Sequence, residues 1–254
     1  MSSTEWAQAA LQSFDAVVNA TEGFRGRPGQ RLMAEQVART FSSATLGKVE
    51  ADEDGQEAAP TRSIAVIQAG TGVGKSLAYC APAIALALSR GTRVLISTAT
   101  VALQEQLVNK DLPALAALMP QPFKFALAKG RGRYVCKLKL DRLAGTGEAE
   151  EEGEDDLFAE EEAAARAKRP RHETEARMQF YSTMAQTLAK GAWDGDRDSL
   201  DTPPEPEVWS PVAAEGASCT GKHCPAFSQC TYYDKRKELV GAQVIVANHD
   251  LLLS

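Results

Sequence analysis

The chain has 254 residues, of which 44% are hydrophobic and 24% charged, close to an ordinary globular protein. This excludes a wholly disordered, collagen-like or coiled-coil chain, and the length allows one large domain or two small ones. The net charge of −6 hides an asymmetry: residues 148–162 hold ten acids and no base, and without them 24 acids face 28 bases. A nucleic-acid surface is therefore compatible with the acidic balance.

The first segment, Glu5–Ala20, places Trp6, Ala10, Phe14, Val17 and Val18 at helical spacing, which predicts an amphipathic helix. A Gly/Pro/Arg loop follows over 22–29, and Gln30–Phe41 is again helical. Residues 47–62 are polar and acidic and read as a surface loop. Ser63–Gln68 (SIAVIQ) is a short β-branched run and predicts a buried strand. Lys75–Ser89 predicts a helix stopped by Gly91, Thr92–Ser97 a second strand, and Thr100–Leu118 a second helix. Ala242–Ala247 predicts a third buried strand. This alternation is the mark of a mostly parallel α/β sheet.

No run is long enough to span a membrane. The longest apolar stretch, Tyr79–Leu88, falls short of the ~20 residues a spanning helix needs. Glu5 and Asp15 interrupt the first twenty residues, which argues against a secretory signal. The five cysteines are an odd number, and a chain that keeps its thiols for metal fits better than a disulfide scaffold. A cytoplasmic protein is expected.

The sharpest motif is AGTGVGKS, Ala69–Ser76, between a predicted strand and a predicted helix. In that context it reads as a phosphate-binding loop. Gly70, Gly72 and Gly74 let backbone N–H groups turn towards a phosphate, and the helix opening at Lys75 adds its positive end. Ala69, Thr71 and Val73 complete the cradle. Lys75 would reach the β- and γ-phosphates of ATP and the Ser76 hydroxyl would hold Mg²⁺. The competing reading is a Gly-rich turn with a chance Lys-Ser, but a string this long arises by accident in fewer than about one chain in ten thousand.

Cys219, Cys224 and Cys230 lie in C-x4-C-x5-C, and Cys136 stands 83 positions before Cys219. Neighbouring thiols of this kind point to a metal, with a structural zinc ion and a [4Fe–4S] cluster both open. Cys80 lies in the apolar run after the phosphate loop and reads as core. Lys129, Arg131, Arg133, Lys137 and Lys139 crowd around Cys136 with Tyr134 among them. Lys235, Arg236 and Lys237 follow Cys230, beside Tyr232 and Tyr233. Bases that track phosphates and rings that stack on nucleobases suggest a wall for single-stranded DNA, against a merely solvated basic face. Residues 191–207, rich in acids and proline, read as mobile.

Taken together, the phosphate loop, Gln30 upstream, Thr98-Ala-Thr100 with Gln104 downstream, KGRGRYVC at 129–136, YYDKRKEL at 232–239 and VIVANHDLLL at 244–253 resemble the iron–sulfur DNA helicases of superfamily 2, the DinG type related to XPD. The resemblance covers most of residues 24–254 and leaves the acidic stretch unmatched. It implies a RecA-like P-loop NTPase domain with a partial parallel sheet, interrupted by an inserted iron–sulfur domain. The expected divisions are 1–62, an N-terminal helical region, 63–128, the first part of the ATP-binding domain, 129–235, the insertion, and 236–254, the return.

By the same resemblance Gln30 would read adenine, and Ser97–Gln104 would touch the nucleic-acid backbone. Cys136, Cys219, Cys224 and Cys230 would hold the cluster, and Arg131, Arg133, Tyr134 and Lys137 would face DNA. The implied activity is ATP-dependent 5′→3′ unwinding of single-stranded, forked or R-loop DNA in repair, in the bacterial cytoplasm. A motor also needs an acidic pair after a strand, and no D-E-x-H follows the phosphate loop. The chain is thus expected to be part of a longer helicase, and to bind nucleotide without turning it over. A P-loop ATPase with a zinc-binding insertion, or a non-catalytic nucleotide- or DNA-binding module, are the competing classes.

Overall fold

The computed structural model describes residues 2–21, 23, 26–44, 61–145 and 171–253, with backbone alone at 171–174. Two compact units divide the chain. Residues 1–128 and 238–254 form one, and residues 129–237 the other.

In the first unit, α1 (Ser3–Ala20) opens with a capping box, in which Ser2 and Glu5 satisfy each other's backbone N–H groups. Helix α2 (Pro28–Ser43) has proline at its first position, where the missing N–H costs nothing. Helix α3 (Lys75–Ser89) follows the phosphate loop. Strand β1 (Val94–Thr98) leads into α4 (Val101–Gln106), which continues through a π turn at Leu107–Asp111 into α5 (Leu112–Leu118). The helix expected over 100–118 is thus present, with one widened turn in its middle. Strand β2 (Phe125–Leu127) closes this half.

The second unit holds α6 (Lys137–Ala144), preceded by a 3₁₀ turn at Arg131–Arg133, then α7 (Arg171–Ala189) and the single turn α8 (Pro206–Trp209), with a 3₁₀ turn at Arg197–Ser199 between them. Helix α9 (Thr231–Gly241) returns the chain to the first unit, which ends in β3 (Val244–Asn248) and α10 (His249–Leu253).

The described sheet is parallel in the order β1-β3-β2, with Ile96 opposite Val246 and Phe125 opposite Val244. Each neighbouring pair needs a crossover, and residues 129–237 fall within the crossover from β2 to β3. Val244, Val246 and Ile96 face the helical layer. There they join Phe14 and Val17 of α1, Ala34 and Ala38 of α2, and Ile84 of α3. Leu107, Leu112 and Leu115 close the same core.

Two expectations change. Residues 63–68 carry no strand: the segment makes no ladder with the described strands, and Ile64 and Val66 are 86% and 95% exposed. A β-branched run has strand propensity only where a neighbouring strand and a covering layer exist, and among the described residues neither meets it. Residues 191–207 are ordered rather than mobile. Trp193 is buried against Trp209, their ring centroids 6.4 Å apart, and its indole N–H donates to the Asp196 carbonyl at 2.8 Å. The acids and prolines of this stretch mask one aromatic anchor, Trp193. The acidic run 148–162 and residues 47–60 lie outside the described residues.

Phe14 is 2% exposed at the heart of the first core, whereas Phe41 is 44% exposed. Phe14→Ala is expected to cost about 3–5 kcal/mol in urea unfolding, and Phe41→Ala under about 1 kcal/mol. Equal costs would mean that α1 is not part of this core.

Candidate nucleotide site and cysteine region

Chain direction reverses into α3 at Gly74, which has φ +86° and serves as the N-cap. Gly72 is also left-handed, at φ +78°. Only glycine adopts these angles without strain, and at Gly74 a Cβ would also collide with the Gln30 amide. Gln30 sits on the first turn of α2, fully buried, and its Nε2 donates to the Gly74 carbonyl at 3.0 Å. Its Oε1 is buried with no hydrogen-bond partner among the described residues. The sequence-predicted adenine reader thus rests against the end of the phosphate loop, with one amide atom committed and one left over.

The Lys75 ammonium folds back over the loop, donating to the carbonyls of Ala69 at 3.2 Å and Gly70 at 2.8 Å. Gly70, Thr71 and Gly72 are open to solvent, and Val73 and Ser76 are half-buried. Tyr79 lies one turn along α3, near Ser76. Burial, then the neighbouring Cys80, pushes its phenol above the usual value, against a hydrogen bond with Ser76. The structure therefore gathers Gln30 and Ala69–Ser76 into one place. Cys80 is fully buried in the core, as expected from its apolar run.

At the carboxyl ends of the strands, Ser97 Oγ and His249 Nδ1 lie 2.7 Å apart. The Thr100 hydroxyl caps α4 by accepting from the Leu103 N–H at 3.3 Å, and Gln104 is buried. Periodicity gave no signal for the Ser97–His249 pair, because its members are 152 positions apart.

In residues 129–237, Cys136 caps α6, and its N–H donates to the Val212 carbonyl at 2.7 Å. Cys219 is exposed, Cys136, Cys224 and Cys230 are half-buried, and all four are free thiols. Burial pushes the Cys230 thiol up. The Tyr233 and Tyr232 N–H groups oppose that shift, while nearby Cys136 and Cys219 add to it. The Gly221 N–H donates to the Cys219 sulfur at 3.4 Å. Among the described residues, no three His, Cys, Asp or Glu side chains come together as the shell of a single metal ion.

The basic residues expected to face DNA have acidic or aromatic neighbours. Arg131 lies over the Tyr232 ring at 4.4 Å and the Tyr233 ring at 5.8 Å. Arg133 pairs with Asp198 at 3.1 Å, and Lys137 with Asp141 at 2.6 Å. Tyr134 is 4% exposed and packs against Tyr232, their ring centroids 5.9 Å apart. Lys129 bridges Asp196 at 2.5 Å and Asp198 at 3.0 Å. Burial disfavours its charged form, but the two carboxylates outweigh that and hold its pKa above the ordinary value. Sequence reading missed these acids, because Asp196 and Asp198 lie 67 and 69 positions beyond Lys129 in a stretch that resembles a linker.

Residues 54–119 match the model of the DEAD/DEAH box helicase family. The phosphate-loop motif lies within that matched stretch. The chain is also similar to the ATP-dependent DNA helicases DinG. It is 34% identical to the one from Photobacterium profundum over 96% of this chain and 31% of the relative. It is 35% identical to that of Escherichia coli over 91% of this chain and 29% of the relative. The Salmonella choleraesuis helicase is 34% identical over 95% and 30%. The chain thus spans about a third of the length of the curated relatives it matches. No helix among the described residues is long and apolar enough to cross a membrane.

The raised pKa of Lys129 means that its ion pairs stabilise the fold below about pH 10, and that this contribution fades as pH climbs through the folded-state value. Lys129→Met leaves two carboxylates facing a neutral chain. It is expected to cost about 2 kcal/mol in urea unfolding at pH 7, and to cost less as pH is raised past 10. Lys137→Met, which breaks a pair within one helix, is expected to cost about 0.5 kcal/mol. A Lys129→Met cost no larger than that would mean the half-buried triad is not stabilising.

Proposed function

We propose that this chain is the ATP-binding and cluster-bearing portion of an ATP-dependent DNA helicase that moves 5′→3′ on single-stranded DNA, clearing forks and R-loops in repair. The observation that carries the reading is the phosphate loop. Its left-handed glycines, inward ammonium and clamped C-terminal end fit a polyphosphate, and the relatives are named ATP-dependent DNA helicases. Lys75 would exchange the Ala69 and Gly70 carbonyls for the β- and γ-phosphate oxygens. Ser76 would hold Mg²⁺. The spare Gln30 Oε1 would accept from a nucleobase amino group.

Cys136, Cys219, Cys224 and Cys230 would hold a [4Fe–4S] cluster. All four are free thiols, and the Gly221 N–H donates to the Cys219 sulfur, as suits a thiolate ligand. A cubane holds its four thiolates farther apart than one ion does, so the absence of a single-ion shell among the described residues is compatible with it. When bound, the cluster would supply a covalent tie between Cys136 and the distant 219–230 segment. Arg131, with Tyr232 and Tyr233 beneath it, would lie along the DNA strand, with Arg133, Tyr134 and Lys137 supporting that surface.

Mg²⁺-ATP binding, measured by calorimetry, is expected in the intact protein and is expected to be lost in Lys75→Ala. Retained binding in that variant would overturn the phosphate-loop assignment. Anaerobically purified protein is expected to absorb near 400 nm and to carry about four irons per chain. That absorption should be lost on Cys→Ser at position 136, 219, 224 or 230 and kept in Cys80→Ser. One zinc and no iron would favour the zinc-containing ATPase instead.

A further inference from the structure

The two ends of α2 are pinned to the two ends of α3. At the leading end, Gln30 donates to the carbonyl of Gly74, the N-cap of α3. At the trailing end the C-cap of α3, Arg90, turns its guanidinium onto the last carbonyls of α2: Nη1 donates to Phe41 at 3.2 Å and Ala44 at 3.1 Å, and Nη2 to Ser42 at 2.7 Å. Those carbonyls lie at the helix end, where intrahelical donors run out and the negative end of the helix dipole is exposed. The indole of Trp6 on α1 covers the same guanidinium at 5.4 Å.

Between the pins, Ala34, Val37 and Ala38 of α2 and Ala78, Ala81, Ile84, Ala85 and Leu86 of α3 are buried. Apolar packing of this kind holds the helices together, and the polar contacts at their ends add directional constraints on the register of α2. Among the described residues the Gln30 amide makes one bond, through Nε2, and its Oε1 has no partner. Arg90 makes three, in the fork geometry only arginine has.

We infer that Arg90 is a positioning residue for nucleotide binding: by gripping the end of α2 it sets where Gln30 meets the phosphate loop, about 20 Å away along the helix. The inference rests on the nucleotide-binding reading above and adds to it a residue outside the loop.

The test compares wild type, Arg90→Ala, Arg90→Lys, Gln30→Ala and the Gln30→Ala/Arg90→Ala double variant in the intact protein. Mg²⁺-ATP and inorganic tripolyphosphate affinities and thermal unfolding are read for each. Arg90→Ala is expected to weaken ATP binding about three- to tenfold and to leave tripolyphosphate affinity within about twofold of wild type. Arg90→Lys falls between, since an ammonium cannot serve three carbonyls in one plane. The double variant should bind ATP no worse than Gln30→Ala alone, because Arg90 acts through Gln30.

Wild-type ATP affinity in Arg90→Ala, equal weakening of ATP and tripolyphosphate, or losses that add in the double variant would each overturn the inference. So would a Gln30→Ala variant with unchanged affinity. The phosphate-loop reading falls separately, through Lys75→Ala. If Arg90→Ala does not fold, Arg90→Lys decides by the same criteria.

Discussion

The first unit depends on one backbone position. The chain leaves the phosphate loop and enters α3 through a left-handed turn at Gly74, and the Gln30 side chain occupies the space that a Cβ would need. The helix start, the orientation of the loop N–H groups and the register of α2 meet at that residue. A buried amide with only one of its two polar ends satisfied is costly in isolation. Lys75, held on the Ala69 and Gly70 carbonyls, keeps the loop closed on itself with a cation inside the ring.

The second unit solves a different problem. Residues 129–139 carry four Lys or Arg at 129, 131, 133 and 137, with a fifth at 139. Unpaired, so dense a cluster would repel itself. Asp196 and Asp198, fixed by a turn that Trp193 anchors, neutralise Lys129 and Arg133, while Asp141 and Glu215 take Lys137 and Lys139. Arg131 rests on tyrosine faces, so its charge is offset by a ring quadrupole. The basic segment is built into its unit, and the phosphate-facing capacity read from the sequence is reduced wherever a carboxylate already sits on the cation.

Local chemistry explains which parts were legible. Helix α3 begins at Lys75 and ends at Ser89 as the apolar run and Gly91 foretell, because glycine and an unbroken apolar stretch act within a turn or two. The left-handed turn at Gly72 and Gly74 is legible for the same reason: the glycine spacing sets the backbone geometry. The segment at 63–68 fails because a strand is a property of its neighbours. The stretch at 191–207 fails because two tryptophans 16 positions apart find each other only in three dimensions. The partners of Lys129, Ser97 and Arg90 are all remote in sequence, and no window of a few residues contains them.

The widened turn at Leu107–Asp111 has a consequence for the helix that carries it. One surplus residue wound into an α-helix rotates everything before it by about 100° relative to everything after. Leu112 and Leu115 are seated in the core, so the rotation is expressed at the other end, where Thr100 caps the helix and Gln104 turns inward. The two halves of the helix are thus geared separately. Removing the surplus residue would turn Val101–Gln106 about the helix axis relative to Leu112 and Leu115, and Gln104, buried in the present register, would leave its place.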